Sequence, residues 1–335
     1  MENPWNMGKK YIRKKRNAAL KKGAVLAAGL GTGALAVSCG VAQAMSDLGT
    51  NRRMPVYGKL VNVTGGKPDK GFSAKRNQAA EALGNTDQET VQIRSLDGLT
   101  LTGHLVKVQS PKRLIVAVHG WRSTWNRDFC MVAPFWQEAG CNVLYVEQRA
   151  HGQSQGKYIG FGLLERKDCL AWSQWAAEKY PDLPIYLSGI SMGATTVLMA
   201  AGEDLPKNVK GIQADCGFTS PKEIWKHVVQ NNLHMAFSPV RQTWMDGTFR
   251  LKLRQGMDSY STVTAMETCH IPVLFIHGTE DSFVPIEMTY KNYLACAAPH
   301  RLLVIPGAGH GMSYALEPET CQRTMTDFWA AYDHT

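Results

Sequence analysis

Ser191 stands in the stretch Gly189-Ile190-Ser191-Met192-Gly193, a serine with glycine two positions away on either side. A strand-like run, Ile185-Tyr186-Leu187, leads into it, and a run of small residues leaves it. A strand-to-helix turn this sharp brings backbones too close for a Cβ, which explains the glycines, and it lifts the serine hydroxyl clear of the fold. The setting marks Ser191 as a nucleophile. A serine hydroxyl needs a base, and His310 is placed to be one, on the glycine-rich turn Pro306-Gly307-Ala308-Gly309-His310-Gly311 after the last apolar run. The imidazole needs a carboxylate to fix its tautomer and stabilise its cation. Asp281, just past the run Pro272–Ile276, gives the chain order Ser, Asp, His. Asp215, in Ala214-Asp215-Cys216-Gly217, is its rival, and Glu280 is the third choice.

Attack on a carbonyl creates an oxyanion that needs donors. The backbone N–H of Met192, at the start of the helix after the serine, is one. The backbone N–H of Trp121, in His119-Gly120-Trp121 after an earlier apolar run, is the other. The His119 ring either assists there or only braces the loop.

These residues need a scaffold that gathers them. Val91, Ile93 and Ser95 alternate with polar neighbours, Asp97-Gly98 offers a type I′ hairpin turn, and Leu99–Val108 answers as a second strand. Beyond it, Arg113–Val118, Asn142–Val146, Pro184–Leu187, Val209–Ala214, Pro272–Ile276 and Leu302–Ile305 are short apolar runs separated by helix-like sequence. Unbroken apolar strands spaced by helices predict an α/β fold, a mostly parallel sheet covered on both faces. In such sheets the working residues sit past the carboxyl ends of strands. Residues from Ser220 to about Cys269 exceed a simple connection and carry Trp225, Trp244 and Phe249, so a helical lid over about 220–269 is expected, or a surface excursion packed on the sheet.

Three segments follow from composition. Residues 1–22 hold eight basic residues against the single acid Glu2, so +7 of the net +9 belongs to them and nucleic acid is not an expected partner. Gly23–Met45 is uncharged and rich in Ala, Gly, Val and Leu. A basic flank before an apolar run reads as a signal peptide or membrane anchor over residues 1–45, with the enzyme facing outward, membrane-anchored or secreted. Ala42-Gln43-Ala44 matches a cleavage site that would release a chain beginning near Met45; Ala36-Val37-Ser38-Cys39 is a loose lipoprotein box; a cytoplasmic leader is the plain alternative. Residues 46–88 read as a polar linker with one helix around Ser73–Leu83, and 89–335 as the main domain. Outside the leader seven cysteines remain, an odd number without CxxC spacing, and they read as small buried hydrophobes. No metal or cofactor site is expected.

Val118-His119-Gly120-Trp121, then Glu147-Gln148-Arg149-Ala150-His151-Gly152-Gln153-Ser154, the Ser191 turn, His277–Pro285 and Gly309-His310-Gly311 occur in this order. Over roughly residues 89–332 the chain resembles bacterial serine hydrolases of the α/β-hydrolase superfamily, in its serine-aminopeptidase-like (S33) or monoglyceride-lipase-like division. The resemblance implies the α/β-hydrolase fold and a triad of Ser191, Asp281 and His310. It makes the Glu147–Ser154 block a structural element, with Glu in place of the usual Asp, and pairs Arg149 with Asp168 or Glu165. The H-G-G-P-G loop of proline iminopeptidase-like members is absent, and the lid is poor in the acids that would hold a free amino terminus. Ester hydrolysis is therefore the leading expectation, with a medium acyl chain or aromatic ester suggested by the apolar lid. A peptidase or amidase on the same fold, or a catalytically silent binding protein, are the alternatives. The expected partner is a small ester or peptide, with membrane contact through the N-terminal segment if it is uncleaved.

Overall fold

The computed structural model describes residues 33, 35–59 and 70–334. Its centre is an eight-stranded sheet in the order β1-β2-β4-β3-β5-β6-β7-β8. The strands are β1 Glu89–Arg94, β2 Thr100–Val106, β3 Arg113–Val118, β4 Cys141–Val146, β5 Ile185–Ile190, β6 Val209–Asp215, β7 Val273–Gly278 and β8 His300–Ile305. Pairing is antiparallel from β1 to β2 and from β2 to β4, and parallel from β4 onward.

The unbroken apolar runs have a direct cause. In β3, Leu114, Val116 and Val118 enter one core cluster while Ile115 and Ala117 enter another on the opposite face. With both faces covered, alternation along the strand disappears from the sequence. The first hairpin differs from expectation. A type I′ turn needs positive φ at both central residues, and only Gly98 has it, at 83°. The turn is wider. Its carbonyl and hydroxyl acceptors both come from Ser95, which receives the Gly98 N–H on its carbonyl and the Leu99 N–H on its Oγ.

The segment before the sheet also departs from the linker reading. Helical residues 35–50 form α1, and α2 runs Lys70–Gly84, where one helix was expected. In α1, Ala42, Ser46, Leu48 and Thr50 are buried. Ala42 and Leu48, with Met45, join a third cluster with Phe161, Trp225 and Phe249. A Cβ on Gly49 would run into the Trp225 ring, so the small residues of α1 permit a close approach. Residues 46–50 are thus part of the packed body, and the Ala42-Gln43-Ala44 motif lies inside a docked helix. Residues 1–32, which hold the basic flank and the first ten residues of the apolar run, lie outside the described residues. No helix among the described residues is long and apolar enough to cross a membrane.

The 220–269 region is helical: α7 Pro221–His227, a π-helical turn at Val228–Asn232, α8 Pro239–Leu253 and α9 Thr262–Glu267. Ser220, Ser238 and Ser261 cap α7, α8 and α9 by accepting backbone N–H groups, which satisfies donors that the helix start leaves free. Its Trp225, Met245 and Phe249 pack into the cluster under α1.

Candidate active site

The sharp turn between β5 and α6 (Met192–Ala200) holds Ser191 at φ 58°, a conformation few non-glycine residues adopt. A Cβ on Gly193 would collide with the Val118 carbonyl of the neighbouring strand, so only glycine fits there. The Ser191 N–H donates to the Asp215 carbonyl at 2.8 Å and fixes the turn against β6.

Three side chains predicted from sequence meet in one line. Ser191 Oγ lies 2.8 Å from His310 Nε2, and His310 Nδ1 lies 2.7 Å from Asp281 Oδ2. The second oxygen of Asp281 accepts the Phe283 and Val284 N–H groups, at 2.9 and 2.8 Å. His277 Nε2 stands 3.2 Å from Asp281 Oδ2. Burial alone would raise the Asp281 pKa. The charge of His310 and the hydrogen bonds from His277, His310 and Val284 outweigh it and hold the carboxyl well below the usual range. For His310 burial works toward the neutral form, and the charge and hydrogen bond of Asp281 reverse it, leaving the imidazole above its ordinary value. The Phe283 ring meets His310 edge-on with centroids 5.0 Å apart.

Asp215 is placed differently. It accepts the Ser313 hydroxyl at 3.0 Å, has no hydrogen bond to His310 among the described residues, and burial pushes it up to about 6. Glu280 is exposed. The loop after β7, and not the end of β6, delivers the carboxylate that His310 contacts.

The loop after β3 is tied down on every side. Gly120 N–H donates to Asp128 Oδ2 at 2.7 Å, from α3 (Trp125–Phe129). The His119 ring accepts the Gln148 N–H at 3.2 Å, so it braces the loop. His151 Nε2 accepts the Arg122 N–H at 3.1 Å, and burial drops its pKa to about 3, keeping it a neutral acceptor. Arg122 has φ 52° and sends its guanidinium to the carbonyls that end α1, Leu48 and Asn51 at 2.7 and 2.6 Å, with Arg52 at 3.2 Å. Trp121 Nε1 donates to the Gly49 carbonyl at 3.0 Å. Among the described residues, neither the Trp121 nor the Met192 backbone N–H is taken by another acceptor.

Sequence reasoning missed Asp128, the support that His277 gives Asp281 from within the His277–Pro285 motif, and the part played by α1; each acts by tertiary contact. It did name the supporting block. Arg149 grips Asp168 through two bonds of 2.6 and 2.7 Å and also reaches Asp97, whereas Glu165 accepts the Gly160 and Gly162 N–H groups instead. Glu147 takes the Gln153 N–H and His104.

A cavity of about 310 Å³ opens onto Ser191 and His310. Its walls include Phe72 and Arg76 of α2, Trp121, Met131, Phe283 and Tyr314. No residue of 220–269 lines it. The aromatic residues of that region therefore give no guide to an acyl group, because they pack against α1.

A family model described as "Serine aminopeptidase, S33" matches residues 109–245. The chain is 26% identical over 251 residues to the uncharacterized protein YqkD of Bacillus subtilis (strain 168), a match spanning 74% of this chain and 81% of that one. Among solved structures it is similar to an esterase of Pyrococcus furiosus, with a TM-score of 0.61 at 22% identity over 74% of this chain and 92% of the other. It is also similar to an esterase of Exiguobacterium antarcticum, with a TM-score of 0.54 at 18% identity over 72% and 99%.

Proposed function

From the α/β-hydrolase fold of this chain, we propose that it is a serine hydrolase that cleaves carboxylic esters through an acyl-enzyme on Ser191. The reading rests on the unbroken hydrogen-bond line from Ser191 through His310 to Asp281. Ser191 Oγ attacks the ester carbonyl while its proton passes to His310 Nε2, and Asp281 stabilises the imidazolium. The free Trp121 and Met192 N–H groups receive the oxyanion. His310 then gives its proton to the departing alkoxide. In the second half it takes a proton from water, the hydroxide displaces the acyl group, and Ser191 Oγ regains its proton.

The test is hydrolysis of 4-nitrophenyl esters of rising chain length beside aminoacyl anilides, with fluorophosphonate labelling of the same protein. Ser191→Ala should abolish labelling and cut turnover by roughly 10⁶-fold, the scale of loss when a triad serine is removed. Ester hydrolysis that survived the substitution would sink the mechanism, and anilides turned over faster than esters would make the protein an amidase.

A further inference from the structure

We propose that the cavity beside Ser191 is built for an ester carrying an anionic group, a carboxylate or a phosphate, which Arg76 and Arg127 bind at its mouth. This rests on the hydrolase reading above and names its substrate class.

Arg76 of α2 and Arg127 of α3 line the same cavity as Ser191 and His310. The arginines Arg113, Arg149 and Arg166, buried or half-buried, each have an acidic partner. Arg113 pairs with Asp333 at 2.8 Å, Arg149 with Asp168 at 2.6 Å and Arg166 with Glu203 at 2.8 Å. Among the described residues, no carboxylate forms an ion pair with Arg76 or Arg127, and Arg76 Nε is buried without any hydrogen-bond partner. The Phe72 ring lies 5.5 Å from the Arg76 guanidinium and helps to aim it.

Asp128, the acid that acts on Arg76, offsets only part of the cost set by burial and the Arg127 charge. Asp128 has one oxygen on the Gly120 N–H at 2.7 Å and the other on the Ser123 hydroxyl at 2.5 Å, so it is spent on the loop after β3. Arg122 lines the cavity too, but its guanidinium is used on α1 carbonyls. Burial, together with the like charge of Arg127, already makes the Arg76 cation less stable than usual. An arriving anion relieves both costs. A guanidinium left unpaired in a partly dry site is expensive, and its planar fork matches carboxylate or phosphate oxygens. The same two charges would repel the free ammonium of an aminopeptidase substrate, which places the ester reading ahead of the exopeptidase one.

The experiment compares full-length protein on three aryl esters of similar size: 4-nitrophenyl pentanoate, the mono-4-nitrophenyl ester of glutaric acid and a phosphate-terminated analogue. The charged esters should exceed the neutral one in kcat/KM by about tenfold or more, mainly through a lower KM, with the better of the two identifying the anion. Arg76→Gln and Arg127→Gln should each erase most of that ratio, and adding salt should compress it. Arg127 is exposed, so Arg127→Glu tests the charge with little threat to folding; the new carboxylate offsets Arg76 and should abolish the preference for the charged esters. Equal kcat/KM for charged and neutral esters, or variants that leave the ratio unchanged, would overturn the anion site while the hydrolase reading stood. A protein that hydrolysed no ester and took no fluorophosphonate label would overturn both.

Discussion

Asp281 and Asp215 are buried at the ends of neighbouring strands, yet their surroundings shift their pKa values in opposite directions. Asp281 faces two imidazoles and two N–H groups, and stays ionised. Asp215 has one hydroxyl and a desolvating wall, and is pushed up to about 6. Only the first is in contact with His310, so the two are not interchangeable. Asp281→Asn should lower kcat by about 10³–10⁴-fold, as when a triad acid is replaced by its amide, whereas Asp215→Asn should leave most of the activity. The pH profile separates them further. His310 acts as a base only when neutral, and Asp281 raises its pKa, so activity should fall as pH drops through a value above the ordinary ~6.5. Removing the Asp281 charge lowers the imidazole pKa, and the acid limb of the residual activity should move to lower pH. In Asp215→Asn the limb should move less, because Asp215 contributes only through its charge at a distance. Profiles of kcat/KM for the three proteins check both statements; an acid limb unmoved in Asp281→Asn would mean that another group sets it.

The element that most alters the picture of the site is α1. Its carbonyl end receives the Arg122 guanidinium and the Trp121 indole N–H, both from the loop proposed to hold the oxyanion. The helix is held from its other side by Lys252 of α8, whose ammonium lies 2.5 Å from Asp47 and 2.8 Å from Asn51 Oδ1. A segment that reads as a leader therefore joins the loop proposed to hold the oxyanion to α8. Its composition is compatible with either role. Ala and Gly lower the charge and bulk of a sequence in the same way whether they face lipid or let one helix approach a tryptophan, and the partner rings lie far along the chain at Phe161, Trp225 and Phe249. Arg122→Ala removes the guanidinium link to α1 without touching the triad. We expect kcat to fall by about tenfold or more, short of the ~10²–10³ for losing an oxyanion donor outright, with KM little changed and the melting temperature lowered. Steady-state kinetics beside a thermal melt would decide it: a lower melting temperature with kcat intact would limit α1 to a stabilising role.

Across the molecule, what the sequence made legible was whatever short-range pattern dictates. The parallel strands announce themselves because both their faces are covered, and the elbow glycines because a Cβ on Gly193 would strike Val118 and one on Gly189 would strike Gly193. Chain order already favoured Asp281 over Asp215, but the contact with His310 that separates them needed the three-dimensional path of the β7 loop, and the arginines of the cavity mouth belong to no motif at all. The cysteines were legible from their apolar neighbours: all seven of the main domain are buried, and only Cys39 in α1 is half-exposed. Burial also disfavours the reactive thiolate, lifting Cys169 and Cys321 to about 12. Cys296, whose thiolate the neighbouring Cys269 thiol favours, is the exception, but it too is buried. Reaction of the native protein with a disulfide reagent should therefore modify Cys39 and little else. Unfolding the protein in denaturant without reductant should expose all eight thiols. A count of six would reveal a bond formed within the fold, and Cys269 with Cys296 would be the pair to map first, since they are the two thiols in mutual contact.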